Sequence, residues 1–153
     1  MPHVRVEHFI QADPAAVYAL FRDPVTFPDF MPNVKSITVS HRMPDRSVSH
    51  WVTDLDGAPL EWREADVYDD EGHVVHFQLI DGDIEQFEGR WMFLPHEGGT
   101  LSVCELDYSL GVPVLEEAVG PVLQQKIHDN IEQMFQAVRG QVEGAGARVG
   151  QEA

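Results

Sequence analysis

The sequence predicts an α+β fold: a curved antiparallel sheet of six or seven strands wrapped around a single long C-terminal helix, with two short helices after the first strand. Three observations carry this reading. Strand-like stretches follow one another from about residue 33 to residue 110 with only short turns between them, which suits hairpins and so an antiparallel sheet. A sustained helical period appears only after GlyValProValLeu (111–115). The one earlier interruption, AspPro at 13–14, opens a helix directly after the first strand.

HVRVEHFIQA (3–12) places Val4, Val6, His8 and Ile10 on one face of a strand. Asp13 then serves as N-cap and Pro14 takes the first helical position, where its missing N–H costs nothing. Val17, Leu20 and Phe21 form the apolar stripe of that helix, which stops near Asp23 because Pro24 disfavours the helical state before it. Residues 24–32 hold three prolines and form a short second helix or an irregular link. Strands at about 33–42 and 46–54 flank MetProAspArg (43–46), and the alternation of the second leaves its inward face open. AspLeuAspGly (54–57) begins like a calcium loop but lacks the later ligands and is read as a turn.

The stretch Leu60–Phe93 reads as three strands joined at AspAspGluGly (69–72) and AspGlyAsp (81–83). A last strand, about 100–110, sets Ser102, Cys104, Leu106 and Tyr108 on one face. The helical pattern that follows carries Val119, Leu123, Ile127, Asn130/Ile131, Met134 and Val138 at three- and four-residue steps. Gly120–Pro121 predicts a break in it, with the main helix starting at Pro121. One domain is expected over 1–142, with 143–153 a disordered tail that has little to bury.

A net charge of −16, from 26 Asp+Glu against 10 Lys+Arg, argues against nucleic acid or an anionic membrane surface as partner. The single cysteine, Cys104, excludes an intrachain disulfide or a cysteine metal cluster. MPHVRVEHF shows no secretory signal and no apolar run spans a bilayer, so a cytoplasmic protein without membrane insertion is expected. Of eight histidines, His73 and His76 lie three apart on a strand and so on opposite faces, and no metal is expected.

Chemistry concentrates in Leu60–Phe93. In period two, Leu60, Trp62, Glu64, Asp66 and Tyr68 share a face, so if the Trp/Tyr face points inward two carboxylates go with it. In the opposite phase both are simply solvated. Two residues apart on one strand, their side chains start roughly 6.5–7 Å apart. In an apolar cavity at least one pKa rises, giving a carboxyl that can take and return a proton near neutrality. Trp62, Phe77, Phe87, Trp91 and Phe93 are expected inward, as core or as walls for flat rings. Tyr68, Tyr108 and Asn130 supply hydrogen bonds, to a ligand or within the core. Arg63 and Arg90 fall on the outer face, and Cys104 is a small inward residue without a basic partner.

The order of elements resembles the START/Bet v 1-like (SRPBCC) helix-grip superfamily, most closely its polyketide cyclase/dehydrase and coenzyme Q-binding branch. Its marks here are AspPro opening the first helix, PheProAspPhe (27–30), Trp62, Trp91 and Asn130, and the resemblance spans about residues 3–142. It implies a mostly apolar cavity between sheet and long helix. It also implies that Trp62, Tyr68, Phe77, Phe87, Trp91, Cys104, Tyr108 and Asn130 line a site for an aromatic or poly-β-ketone ligand, free or presented by an acyl carrier protein, without cofactor. Glu64 and Asp66 would assist aldol closure and dehydration. The branch's cavity arginine would fall at Asp66, and no histidine stands on the inward face of the last strand. The alternative function is a non-catalytic carrier of an isoprenoid quinone or lipid.

Overall fold

The computed structural model describes residues 2–55, 57–111 and 113–152, with the side chains of 113–116 and 144–152 outside that description. Strand β1 (His3–Ile10) is followed by helix α1 (Pro14–Arg22), a 3-10 turn (Pro24–Thr26) and the single-turn helix α2 (Phe27–Phe30). Six strands follow as consecutive hairpins: β2 (Val34–Met43), β3 (Arg46–Leu55), β4 (Ala58–Asp69), β5 (Val74–Gly82), β6 (Gln86–His96) and β7 (Gly99–Ser109). Helix α3 (Pro113–Glu152) completes the order. The sheet runs β1-β7-β6-β5-β4-β3-β2 with every neighbouring pair antiparallel, the helix-grip arrangement. Among the described residues no helix is long and apolar enough to cross a membrane.

Local chemistry explains the start of the chain. Asp13 accepts a hydrogen bond from the Ala15 N–H (3.3 Å), Pro14 sits in the first turn, and Asp23 ends the helix. Val17, Tyr18 and Phe21 are buried, so Tyr18 joins the stripe that the sequence assigned to Val17, Leu20 and Phe21. Its hydroxyl donates to Asp70 (2.6 Å), and Arg22 reaches both Asp70 and the Pro44 carbonyl, so α1 is tied to the β4–β5 and β2–β3 turns.

Helix α3 grips the sheet unevenly. Ile131, Met134, Phe135 and Val138 are buried, and Phe135 packs on Phe21, Trp91 and the His8 ring. Leu123 and Ile127 are only half-buried, while Val119 and Val122 are exposed. The expected break at Gly120–Pro121 does not occur, and Pro121 lies inside one continuous helix. The residue before a proline resists the helical state mainly because its Cβ meets the ring, and Gly120 has none. The lost hydrogen bond to the Glu117 carbonyl is cheap here, because residues 117–119 face water. The disordered tail proposed for 143–153 falls, apart from Glu143, on residues outside the described side chains. His73, expected within a strand, lies in the turn before β5 with φ 56°. The turn at 54–57 is closed by Asp54 accepting from the Gly57 N–H (2.6 Å), with Asp56 outside the described residues.

Curvature depends on Gly89, which falls between inward-facing Phe87 and Trp91 and pairs with both Phe77 and Leu106. A Cβ there would lie 2.1 Å from the Glu105 carbonyl oxygen and 2.8 Å from the Leu106 Cα. Both obstacles are β7 main chain, so the sheet can coil this tightly only with glycine. Gly89→Ala should therefore destabilise the fold by about 2–4 kcal/mol. Urea denaturation would show this as a lower midpoint at unchanged slope, and an unshifted midpoint would contradict the close approach.

Candidate functional site

The β3–β4 ladder sets Trp51 opposite Trp62, Ser49 opposite Glu64 and Ser47 opposite Asp66. All six side chains point inward and all six are buried, Glu64 at 4% exposure and Asp66 at 6%. The inward phase of β4 is therefore the one that carries both carboxylates into the interior. It also settles β3, whose inward face is Ser47, Ser49, Trp51 and Thr53 rather than its valines. The weak alternation of β3 has a physical reason: small hydroxyls stand opposite the acids, and Ser49 donates to Asp66 where valine would leave that bond unmade.

Hydrogen bonds order the acid pair. The Trp62 indole N–H donates to Glu64 (2.7 Å), and the Trp51 indole donates to the Ser49 hydroxyl (2.9 Å), which donates in turn to Asp66. Glu64 is itself hydrogen-bonded to Asp66. Burial pushes the Glu64 carboxyl well above its usual range, and the Asp66 charge and hydrogen bond add to the push against a smaller opposing pull from Trp62. Asp66 is also raised by burial, but its bonds from Glu64 and Ser49 offset part of that. The two carboxyls therefore titrate as a pair that keeps a proton above the ordinary carboxylate range. Burial, with the Glu64 charge second, likewise raises the Cys104 thiol far above its ordinary value, so it is no nucleophile.

A cavity of about 70 Å³ lies between this ladder and α3. Its walls include Trp51, Trp62, Phe77, Phe87 and Trp91 from the sheet, and Ile127, Asn130, Ile131 and Met134 from the helix. Every tryptophan of the chain is among them. Trp51 and Trp62 stack with centroids 5.7 Å apart and planes 7° from parallel. Glu64 is the one carboxyl among its described lining residues. On the α1 side, a smaller recess is lined by Glu64, Asp66, Tyr68, Trp51 and Trp91. The β5 strand bulges beside the pair, with register jumping from Arg63↔Asp81 to Glu64↔Leu79 and leaving Ile80 unopposed and exposed.

Of the residues singled out from sequence, Trp62, Glu64, Phe77, Phe87, Trp91 and Asn130 meet at the cavity. Asp66 and Tyr68 reach only the smaller recess. Cys104 and Tyr108 are buried on the inward face of β7 but line neither space. Tyr68 bonds to the Ser47 hydroxyl and lies under the Arg22 guanidinium (4.4 Å). The Asn130 side chain and carbonyl both accept from the Asn33 amide, pinning α3 to the loop before β2. Trp51, Thr53, Leu60, Ile84 and Leu106 also line the cavity and were not singled out. Trp51 had a signal, since it is directly opposite Trp62 once the hairpin register is known. Arg63 and Arg90 are exposed, as expected.

Two other features lack this character. A depression of about 490 Å³ on the outer face is open to solvent, and among its charges His3 pairs with Asp107 (2.8 Å) and Arg90 with Glu105 (3.8 Å). His128, Asp129 and Glu132 bring potential ligand atoms within 4.8 Å of one another on the surface of α3. They already interact among themselves, and exposed groupings of this kind are common without a metal.

A family model for polyketide cyclase/dehydrase and lipid transport matches residues 10–135. The chain is 32% identical to TTHA0849 from Thermus thermophilus, over 94% of this chain and 99% of that one, with a TM-score of 0.87. The Zhui aromatase/cyclase from Streptomyces sp. R1128 superposes with a TM-score of 0.83 at 16% identity, over 93% of each chain. A START superfamily protein from Mycobacterium smegmatis gives 0.79 at 21% identity, over 94% of this chain and 98% of that one. Among curated proteins no sequence matches.

The raised carboxyls make stability depend on pH in a definite direction. Below the ordinary value of 4.5 Glu64 is protonated in folded and unfolded chains alike. Above it only the folded chain keeps the proton, so stability falls as pH rises until the folded group ionises, by about 1.4 kcal/mol per pH unit for each such group. Glu64→Gln should match the native protein in thermal stability near about pH 4 and exceed it increasingly toward about pH 7. A pH-independent difference in melting temperature would refute the burial of an ionisable Glu64.

Proposed function

The chain belongs to the polyketide cyclase/dehydrase and lipid transport family, and on that footing we propose that it takes an aromatic or poly-β-ketone ligand into the cavity beneath α3 and assists aldol closure and dehydration by proton transfer. The observation that carries this is the buried Glu64–Asp66 pair at the aromatic wall. Where the resemblance implies a cavity arginine, this chain has Asp66, so no guanidinium polarises a ketone there. A carboxyl kept neutral can do so instead, by donating a hydrogen bond to the carbonyl oxygen as enolate character develops. Glu64 is suited to that part, because it lines the cavity and holds its proton. With one proton shared between the two, the ionised carboxyl of the pair takes the α-proton as the enolate forms and gives it to the new alkoxide; for dehydration the pair takes the second α-proton and protonates the hydroxyl, which leaves as water. Asn130 and Trp62 orient the ligand. Tyr68, Tyr108 and Cys104 support the frame without touching it.

Ligands of this class need roughly 300 Å³ or more, whereas the cavity holds about 70 Å³. Binding therefore requires α3 to lift where its cover is thinnest, over Leu123 and Ile127, with Asn33–Asn130 as the bond that yields. A free ligand and one carried on an acyl carrier protein would both enter along that edge. A second reading, a carrier of a quinone or lipid, draws on the same apolar walls and differs in having no use for the acid pair.

Turnover of a candidate poly-β-ketone by Glu64→Gln should fall by about 100-fold or more, with affinity changed only a few-fold. Asp66→Asn should lose turnover in the same way. Full turnover in both variants would remove the acid/base role, and a quinone or lipid co-purifying in native mass spectrometry would then favour the carrier.

A further inference from the structure

The acid pair lacks something that buried acids ordinarily have. A carboxylate taken from water is costly unless a cation or several donors accompany it, and protein interiors supply an arginine, lysine or histidine for the purpose. Among the described residues lining the cavity there is none. Elements β3, β5, β6, β7 and α3 turn only apolar or neutral side chains toward it. The ionisable groups nearest Glu64 are Asp66 on the same strand and the neutral Cys104 thiol of β7, which add no positive charge. Tyr68 lies beyond Asp66, and Arg22 over its outer face is committed to Asp70.

What surrounds Glu64 instead is aromatic. Trp51, Trp62 and Trp91, with Phe77 and Phe87, wall the cavity it lines. Aromatic faces carry negative charge density and attract cations, tryptophan most strongly and more so when water is excluded. Walls of this kind around a carboxyl select a positive nitrogen. The size agrees: with α3 in place, about 70 Å³ suits an ammonium group with a few carbons, and the rest of the ligand takes the space that the lifted helix opens. The net charge of −16 draws cations toward the protein.

We propose that the cavity is a recognition site for an organic ammonium group, so that the ligand is an apolar or aromatic molecule bearing a basic nitrogen seated against Glu64 and between the tryptophan faces. This rests on the reading of the cavity as the ligand site and adds the charge that the ligand carries. The cation supplies the counter-charge that the protein omits. It favours the singly ionised acid pair, whose negative charge faces the ammonium through Glu64 while the pair keeps one proton for chemistry.

The test compares n-propylammonium with the near-isosteric 1-propanol, using the full chain and following the three indole N–H signals by NMR. The ammonium ion should bind about tenfold or more tightly than the alcohol at neutral pH. Its affinity should rise as the pH climbs above the ordinary carboxylate range and the pair ionises, while that of the alcohol stays flat. Glu64→Gln should erase the preference while the alcohol still binds, and Asp66→Asn should weaken it if the first variant folds poorly. Equal or tighter binding of the alcohol to the native protein would overturn the ammonium assignment and leave the apolar-ligand reading standing. Absence of any indole shift with either probe would overturn both.

Discussion

Two carboxyls held inside an aromatic wall are the constraint around which the rest of this structure is arranged. Burying Glu64 and Asp66 side by side is unfavourable unless protons and donors compensate, and the neighbouring strand is built to provide them. Ser47, Ser49 and Trp51 face inward on β3 opposite Asp66, Glu64 and Trp62, and Ser49 donates to Asp66 while Ser47 bonds to Tyr68. The indoles serve twice, filling the core with their rings and donating from their N–H groups, Trp62 to Glu64 directly and Trp51 through Ser49. The bulge at Ile80 lies beside the same pair.

The frame around that pair is tight at one end and loose at the other. From Ile131 onward α3 is clamped by Phe135 against Phe21 and Trp91, and it meets the cavity from Ile127 to Met134, with Leu123 and Ile127 ahead of the clamp only half-covered. This division suits a binding protein. The tight end fixes the sheet and the acid pair, and the loose end is the part whose displacement costs least buried apolar surface. Gly89 fixes the curvature that leaves a space between them at all.

Much of this was legible in the sequence, because most of it is local. The hairpin succession, the Asp13–Pro14 helix start and the two-residue period that puts Glu64 and Asp66 beside Trp62 depend on neighbouring residues alone. What was not legible depends on partners distant in the chain. The inward face of β3 is chosen by the acids across the ladder, so its own alternation could not reveal it. Pro121 looked like a helix break because the proline signal is strong, yet Gly120 and exposure to water remove most of its cost. Cys104 and Tyr108 share the inward face of β7 with Leu106, but only Leu106 reaches the cavity, whose position depends on where α3 departs from the sheet.

The central claim is that Glu64 remains a neutral acid inside the protein at a pH where an ordinary glutamate is ionised. Carbon-13 NMR of the side-chain carboxyl, assigned by comparison with a Glu64 variant and followed from about pH 4 to about pH 8, reads that directly. The account predicts that the Glu64 carbon keeps its protonated-form shift well past 4.5. A Glu64 signal that titrates near 4.5 like a solvated carboxyl would contradict it.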